Sequence, residues 1–392
     1  MENKINPAKR VDEIKEYWFA GKMREVAGMN AAGEDVVSLG VGGPDRMPAL
    51  EVVETLCESA NTPGNHSYQI AAGLPELRRA MSRWYKRHYN VDLEPDKEIL
   101  PLIGSKEGVL HVGLAFLNPG DKVLVPNPGY MTYTGVNKML GAEVIAYDLK
   151  AEDNWQPDFE RLEEIAMKGG VKLMWVNYPN MPTGALASRE LFAKLIEFGK
   201  RHNIVIAHDN PYSFILNDNP MSILEIEGAK DIAVELNSLS KSHNMSGWRM
   251  GMVSSNSEFI TWIRKMKSNI DSGQFKPVME AAIKALDLDD SWYKELNSVY
   301  WQRRKVAEKI MEALGCRFDE KQRGLFLWGK LPGEAGDSAT FADRVLHEAK
   351  VFLVPGFIFG TNGEGYIRIS LCATEERMQT ALERIKAWKD KQ

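Results

Sequence analysis

The chain has 392 residues, 44% of them apolar and 26% charged, with 49 Lys plus Arg against 54 Asp plus Glu and a net charge of -5. That length predicts two domains with a sizeable buried core. The charge is spread through the sequence, which points away from a nucleic-acid partner, and no stretch is apolar enough for a membrane span. The start interleaves Lys4, Lys9, Arg10, Asp12, Glu13, Lys15 and Glu16 without an apolar core, unlike a secretory signal. Cys57, Cys316 and Cys372 are odd in number, far apart and without CxxC spacing. They argue for a reducing compartment, with the cytoplasm the expected location, and against a disulfide frame or a metal site.

From about residue 74 amphipathic helical runs alternate with short apolar ones. The pattern predicts a helix over 74–89, another over 106–117, strands over 122–125, 143–147 and 172–176, and a helix over 189–202. Strands follow at 204–207, 232–236 and 251–254. Most are too continuously apolar to face water on one side, which reads as a largely parallel sheet buried on both faces, an α/β architecture. After about residue 290 come a long charged helix over 291–314, short strands near 324–328 and 366–369, and a helix over 374–391, the pattern of a smaller α+β domain. The Gly- and Pro-rich stretches 42–48, 126–129 and 177–184 fall at predicted strand ends, where open α/β sheets bind ligands.

The segment Ser238-Leu-Ser240-Lys241-Ser-His-Asn-Met-Ser-Gly247-Trp-Arg249-Met-Gly251 follows a predicted strand and is dense in small, hydroxyl and basic residues. Taken alone, Lys241 reads as a solvated charge. The whole stretch, however, resembles the cofactor-lysine signature of class I/II aminotransferases, the fold-type I pyridoxal-phosphate enzymes, in which Ser-x-x-Lys precedes Gly-Trp-Arg-x-Gly. A lysine amine that is desolvated and near cations loses basicity and can attack an aldehyde to form an imine. The resemblance gives Lys241 that role, with proton transfer at the substrate carbon, and gives Arg249 the cofactor phosphate with Ser238 and Ser240 beside it.

Further positions match the family in order. Asp209 and Tyr212, in Asp-Asn-Pro-Tyr after an apolar run, stand at the family's Asp-x-x-Tyr, the acid pairing with the ring nitrogen and the phenol bonding the ring oxygen. His208, beside them, reads as an inert strand residue. Gly104, Ser105 and Lys106 precede a helical run, resemble the phosphate loop, and carry a lysine similar to one that in some relatives reaches a distal substrate carboxylate. Tyr130 matches the aromatic that stacks on the ring, and Tyr68 the tyrosine that reaches the phosphate from the other subunit, which implies a homodimer. Gly42 and Arg368 match positions at the substrate α-carboxylate.

One departure stands out. In Asn177-Tyr-Pro-Asn180-Met181-Pro-Thr-Gly184 the family has a second asparagine before Pro-Thr-Gly that donates to the ring oxygen, and a thioether cannot donate. Asn180 is the residue left to take that contact.

The resemblance runs from Gly42 to Arg368. It implies an arm within residues 1–45 contributing to the small domain, a large cofactor domain over 46–288 and a small domain over 289–392. The cofactor would be pyridoxal 5'-phosphate, the partners an amino acid and a 2-oxo acid, and the reaction ping-pong transamination. A β-eliminating C–S lyase on the same cofactor is the competing reading, since fold and lysine do not fix the reaction.

Overall fold

A computed structural model of the chain describes residues 5–14 and 18–391. Part of the arm expected over 1–45 therefore lies outside the described residues. The centre is a seven-stranded sheet of β1 (Ile99–Leu102), β2 (Lys122–Asn127), β3 (Glu143–Asp148), β4 (Val171–Val176), β5 (Val205–Asp209), β6 (Ala233–Ser238) and β7 (Gly251–Ser254). Their order across the sheet is β1-β7-β6-β5-β4-β2-β3. The strands from β6 through β3 pair in parallel, while β7 runs antiparallel to both of its neighbours. The expected buried, mostly parallel sheet is thus present, with β7 as its one reversed strand. Edge strand β1 was not legible because Pro101 stands inside it, and proline is tolerated in sheets at edges.

Helices bury both faces. One is covered by α1 (Pro75–Tyr89) and α4 (Arg189–His202), the other by α2 (Ser105–Phe116), α3 (Met131–Met139) and the helix Ser257–Lys267. α4 shows why such segments fold as they do. Leu191, Phe192, Leu195, Ile196 and Phe198 recur at helical spacing and are all buried, Ser188 caps the first turn by accepting from the Leu191 amide, and Asn203 ends the helix at φ 54°.

The C-terminal part holds the long helix α5 (Asp290–Ala313) and an antiparallel sheet of β8 (Arg317–Phe318), β9 (Phe326–Lys330), β10 (Val354–Pro355) and β11 (Tyr366–Ser370), ordered β10-β11-β9-β8. Helix α6 (Glu375–Lys389) follows. The N-terminal segment joins this part: Val37–Ser38 pairs in parallel with Val351–Phe352, and the Arg303 guanidinium meets both oxygens of Asp45 at 2.7 and 2.8 Å. No helix among the described residues is long and apolar enough to cross a membrane.

Candidate active site

β5 and β6 end side by side, and a cavity of about 290 Å³ opens at these ends between the large sheet and β9 and β11. Lys241, Asp209, Tyr212, Ser105, Lys106, Tyr130, Ser238, Ser240, Arg249, Gly42 and Arg368 all line it. The parallel strands deliver the C-terminal ends of β5 and β6 to one edge, and the N-terminal segment and β11 bring Gly42 and Arg368 to the same cavity.

Lys241 sits in a short helical turn after β6, with its Nζ 2.6 Å from the Gly42 carbonyl oxygen. Burial lowers the basicity of its amine, and the nearby Arg249 and Arg368 lower it further. That is the condition a nucleophilic lysine requires. Asp209 ends β5 and is 4% exposed. Burial pushes its carboxyl up to about 6, while the Tyr133 hydroxyl, donating to Oδ2 at 2.8 Å, pulls the other way. Its Oδ1 is buried with no partner among the described residues. An acceptor left in this way at the cavity wall suits a protonated ring nitrogen.

Across the cavity Arg368 lies on β11, opposite Trp328 of β9. Its guanidinium donates to the Gly40 carbonyl at 2.8 Å, sits 3.9 Å from the Phe326 ring centroid and 4.8 Å from that of Phe359, and places Nη1 3.2 Å from the Met181 sulfur. Two aromatic rings thus pack against a fork of donors at the cavity wall, a group suited to a carboxylate. Gly42 is required here for space, since a Cβ would come within 2.5 Å of Phe326. At the other end a Cβ on Gly104, whose φ is +76°, would come within 2.2 Å of the Arg249 guanidinium. The start of α2 and Arg249 therefore form one tight cradle, with backbone N–H groups and a cation together, as a phosphate needs.

Three expected residues are placed differently from the rest. Asn180 does not line the cavity: its Oδ1 accepts from the Thr183 amide and hydroxyl and its Nδ2 donates to the Asn177 carbonyl, so its amide is consumed within its own loop. Asn177 lines the cavity instead, donating 2.7 Å to the Asp209 carbonyl and accepting from the Met181 amide at 2.7 Å. Tyr68 is 94% exposed, away from the cavity within a single chain. Gly104 contributes backbone only, behind Arg249.

Tyr133 was missed by sequence reasoning. It is fully buried, lies flat against Trp175 at 5.0 Å and supports Asp209 from behind. Its signal was the spacing: Tyr130 and Tyr133 are three residues apart at the start of α3 and so share a face.

The family model for aminotransferases of class I and II matches residues 34–385. The chain belongs to the class I and II aminotransferase family. It is 42% identical over 380 residues to an LL-diaminopimelate aminotransferase of Aquifex aeolicus, spanning 96% of this chain and 97% of that protein. It is 39% identical over 384 residues to one of Dehalococcoides mccartyi, spanning 97% and 98%. Among solved structures, BacF of Bacillus subtilis superposes with a TM-score of 0.93 at 34% identity, and a Thermus thermophilus aspartate aminotransferase variant with 0.90 at 25%, each covering 98% of this chain and 98% and 100% of its counterpart. The protein is therefore a pyridoxal-phosphate-dependent aminotransferase of fold type I, and its relatives favour transamination over β-elimination. The cavity fits that cofactor on its own terms, through the unpartnered Asp209 oxygen, the Gly104–Arg249 cradle and the lowered basicity of Lys241.

Proposed function

We propose that this aminotransferase acts on an amino acid bearing a second, distal carboxylate, with LL-diaminopimelate, the substrate in its relatives' names, as the first candidate. The supporting observation is that two cations besides the phosphate cradle, Arg368 and Lys106, line one cavity with Phe19, Met131, Ile358 and Phe359. Cations suit the two carboxylates and the apolar side chains suit a methylene chain between them.

Pyridoxal phosphate supplies an aldehyde to hold the amine and a protonated ring that withdraws electrons from the substrate carbon. Lys241 would hold the aldehyde carbon of the cofactor, and its amine is the group placed to carry the proton from the substrate's α-carbon. Asp209, backed by Tyr133, pairs with the ring nitrogen. Tyr212 and Tyr130 border the ring, while Arg249, Ser105, Ser238, Ser240 and the Gly104 backbone take the phosphate. Arg368 orients the α-carboxylate with Gly42 beside it, and burial keeps water from competing with each contact.

The two domains are proposed to divide at 46–288 and 289–392, with the N-terminal segment joining the second, which the 37–38 and 351–352 pairing supports. A homodimer in the cytoplasm completes the reading. Tyr68 and the exposed Met47, Leu50, Ile70, Ile270 and Phe275 are apolar side chains that a partner subunit could cover.

A second reading is an apolar or aromatic amino donor, favoured by the same four apolar side chains. Single-turnover mixing of the loaded enzyme with LL-diaminopimelate, aspartate, glutamate, phenylalanine and leucine, followed by the loss of cofactor absorbance, separates the two. The proposal expects LL-diaminopimelate to react fastest. Phenylalanine or leucine reacting faster selects the second reading, and no reaction with any of them refutes both.

A further inference from the structure

Directly before Asp209 on β5 stands His208, which the sequence alone presents as inert. It is fully buried, and so is Glu235, its register partner on β6. The His208 Nδ1 lies 2.8 Å from Glu235 Oε2 and its Nε2 lies 2.9 Å from the Tyr178 carbonyl oxygen, closer than the Tyr178 amide at 3.4 Å. A carbonyl can only accept. Glu235 already receives the Tyr85 hydroxyl at 2.9 Å, the Ser222 hydroxyl at 2.8 Å and the Ile223 amide at 3.0 Å. Three donors converging on one carboxyl leave it the accepting role towards the imidazole as well. Both imidazole nitrogens thus face acceptors, which is the pattern of an imidazolium paired with a carboxylate.

The pair lies on the sheet face away from the cavity, yet it is joined to the site twice. Through the backbone, His208 is the neighbour of Asp209. Through the loop, it holds Tyr178, whose neighbour Asn177 donates to the Asp209 carbonyl and accepts from the Met181 amide. Charges in a dry interior are little screened, and His208 is the chain neighbour of Asp209 on β5 while Glu235 stands on the adjacent strand β6.

We infer that His208 and Glu235 form a buried ion pair that positions Asp209 and, by setting a fixed cation behind it, keeps it a carboxylate for the cofactor's ring nitrogen. The inference rests on Asp209 being the ring-nitrogen partner. It makes His208 a positioning residue, since nothing in the cavity touches it. Desolvation drives Asp209 towards its neutral form; the Tyr133 hydrogen bond and the His208 charge oppose that drift, while the Glu235 charge adds to it, so that the pair acts through the difference between its two ends. The other ionisable groups packed around the pair are Tyr85 and Tyr89 of α1 and Tyr178, all held neutral by burial, and Glu225, pushed up by burial. On the cavity face stands Tyr133, likewise pushed up.

The test is made on the intact loaded enzyme. The first arm follows the ¹⁵N resonance of a ring-labelled cofactor between pH 6 and 8.5 in wild type and in the double variant His208→Gln/Glu235→Gln, which removes both charges and keeps hydrogen-bonding groups. The wild-type ring nitrogen is expected to stay protonated, and that of the double variant to move towards the unprotonated position. In the same variant kcat is expected to fall about tenfold, the factor that one unit of proton affinity carries, with KM unmoved. A purely structural pair would lower the melting temperature and leave the resonance in place, which overturns the inference. An unprotonated ring nitrogen already in wild type overturns the Asp209 reading and this one with it. The second arm needs no variant: with only seven histidines in the chain, ¹⁵N-histidine labelling is expected to show one buried ring with two slowly exchanging N–H protons. A buried ring with a single N–H refutes the pair.

Discussion

Replacing Met181 by asparagine supplies the donor that the family resemblance leads one to expect before Pro-Thr-Gly. Met181 lines the cavity at 4% exposure with its sulfur 3.2 Å from Arg368, and a thioether offers that arginine only a weak acceptor. An asparagine supplies a carbonyl for Arg368 and an N–H for the ring oxygen. A hydrogen bond to a charged group contributes about 1.5–3 kcal/mol, and 1.36 kcal/mol corresponds to about one pH unit. Stabilising the ring oxygen as an anion loosens its hold on the proton it shares with the Lys241 nitrogen. The pH midpoint of the bound cofactor's visible absorbance should therefore fall by about 1–2 units in Met181→Asn. Met181→Leu, which neither donates nor accepts, should keep the wild-type midpoint. Both variants are titrated as loaded enzymes, with melting temperature recorded because the smaller asparagine leaves space in a packed wall. An unchanged or higher midpoint in Met181→Asn refutes the reasoning.

Gly42→Ala drives a methyl group into Phe326, the ring on which Arg368 rests, so KM for amino donors should rise about tenfold or more while the cofactor still binds; steady-state kinetics with an unchanged KM would show that the ring gives way freely. Tyr133→Phe removes the 2.8 Å bond to Asp209, and since that bond holds the carboxyl down, the variant should bind the cofactor about tenfold more weakly at pH 6 than wild type, with the difference shrinking as pH rises; equilibrium titration of the apoenzyme reads this. Glu107 is pushed up by burial, but the His111 hydrogen bond, the Lys267 charge and the Ile103 amide outweigh this and hold it at about 2. A depressed carboxyl contributes stability above its unfolded value near 4.5 that is lost as pH falls through 2, so the melting temperatures of wild type and Glu107→Gln should converge over that window. Sedimentation should give twice the 44.2 kDa chain mass, and Tyr68→Phe should weaken cofactor binding without changing that mass.

Most of the large sheet was legible because parallel strands buried on both faces are unbroken apolar runs, and the cavity residues because each stands in a short motif at a strand end. What stayed hidden was support rather than contact. Asn177, Phe326 and Phe359 act beside neighbours that are distant in sequence and nothing local marks them, while Tyr133 was marked only by its spacing from Tyr130. His208 reads as inert in the sequence for the same reason, since its partner lies 27 residues on and is set by the register of β5 against β6. Asn180 erred the other way: its sequence position pointed to the cofactor, but its loop claims the amide first.

The carbonyls of Gly40 and Gly42 accept from Arg368 and Lys241 respectively, so a single tripeptide from the N-terminal segment occupies the two cations that the chemistry needs. Arg368 would exchange its carbonyl for a substrate anion, and Lys241, after giving up a proton, would exchange its own for the cofactor's aldehyde carbon with release of water. The cations thus never face each other bare in a dry cleft, and loading becomes a swap of partners with small electrostatic steps. A change that moves both carbonyls should disturb cofactor capture and substrate capture together, whereas a methyl group at Gly42 alone, directed at Phe326, should act on the Arg368 side only.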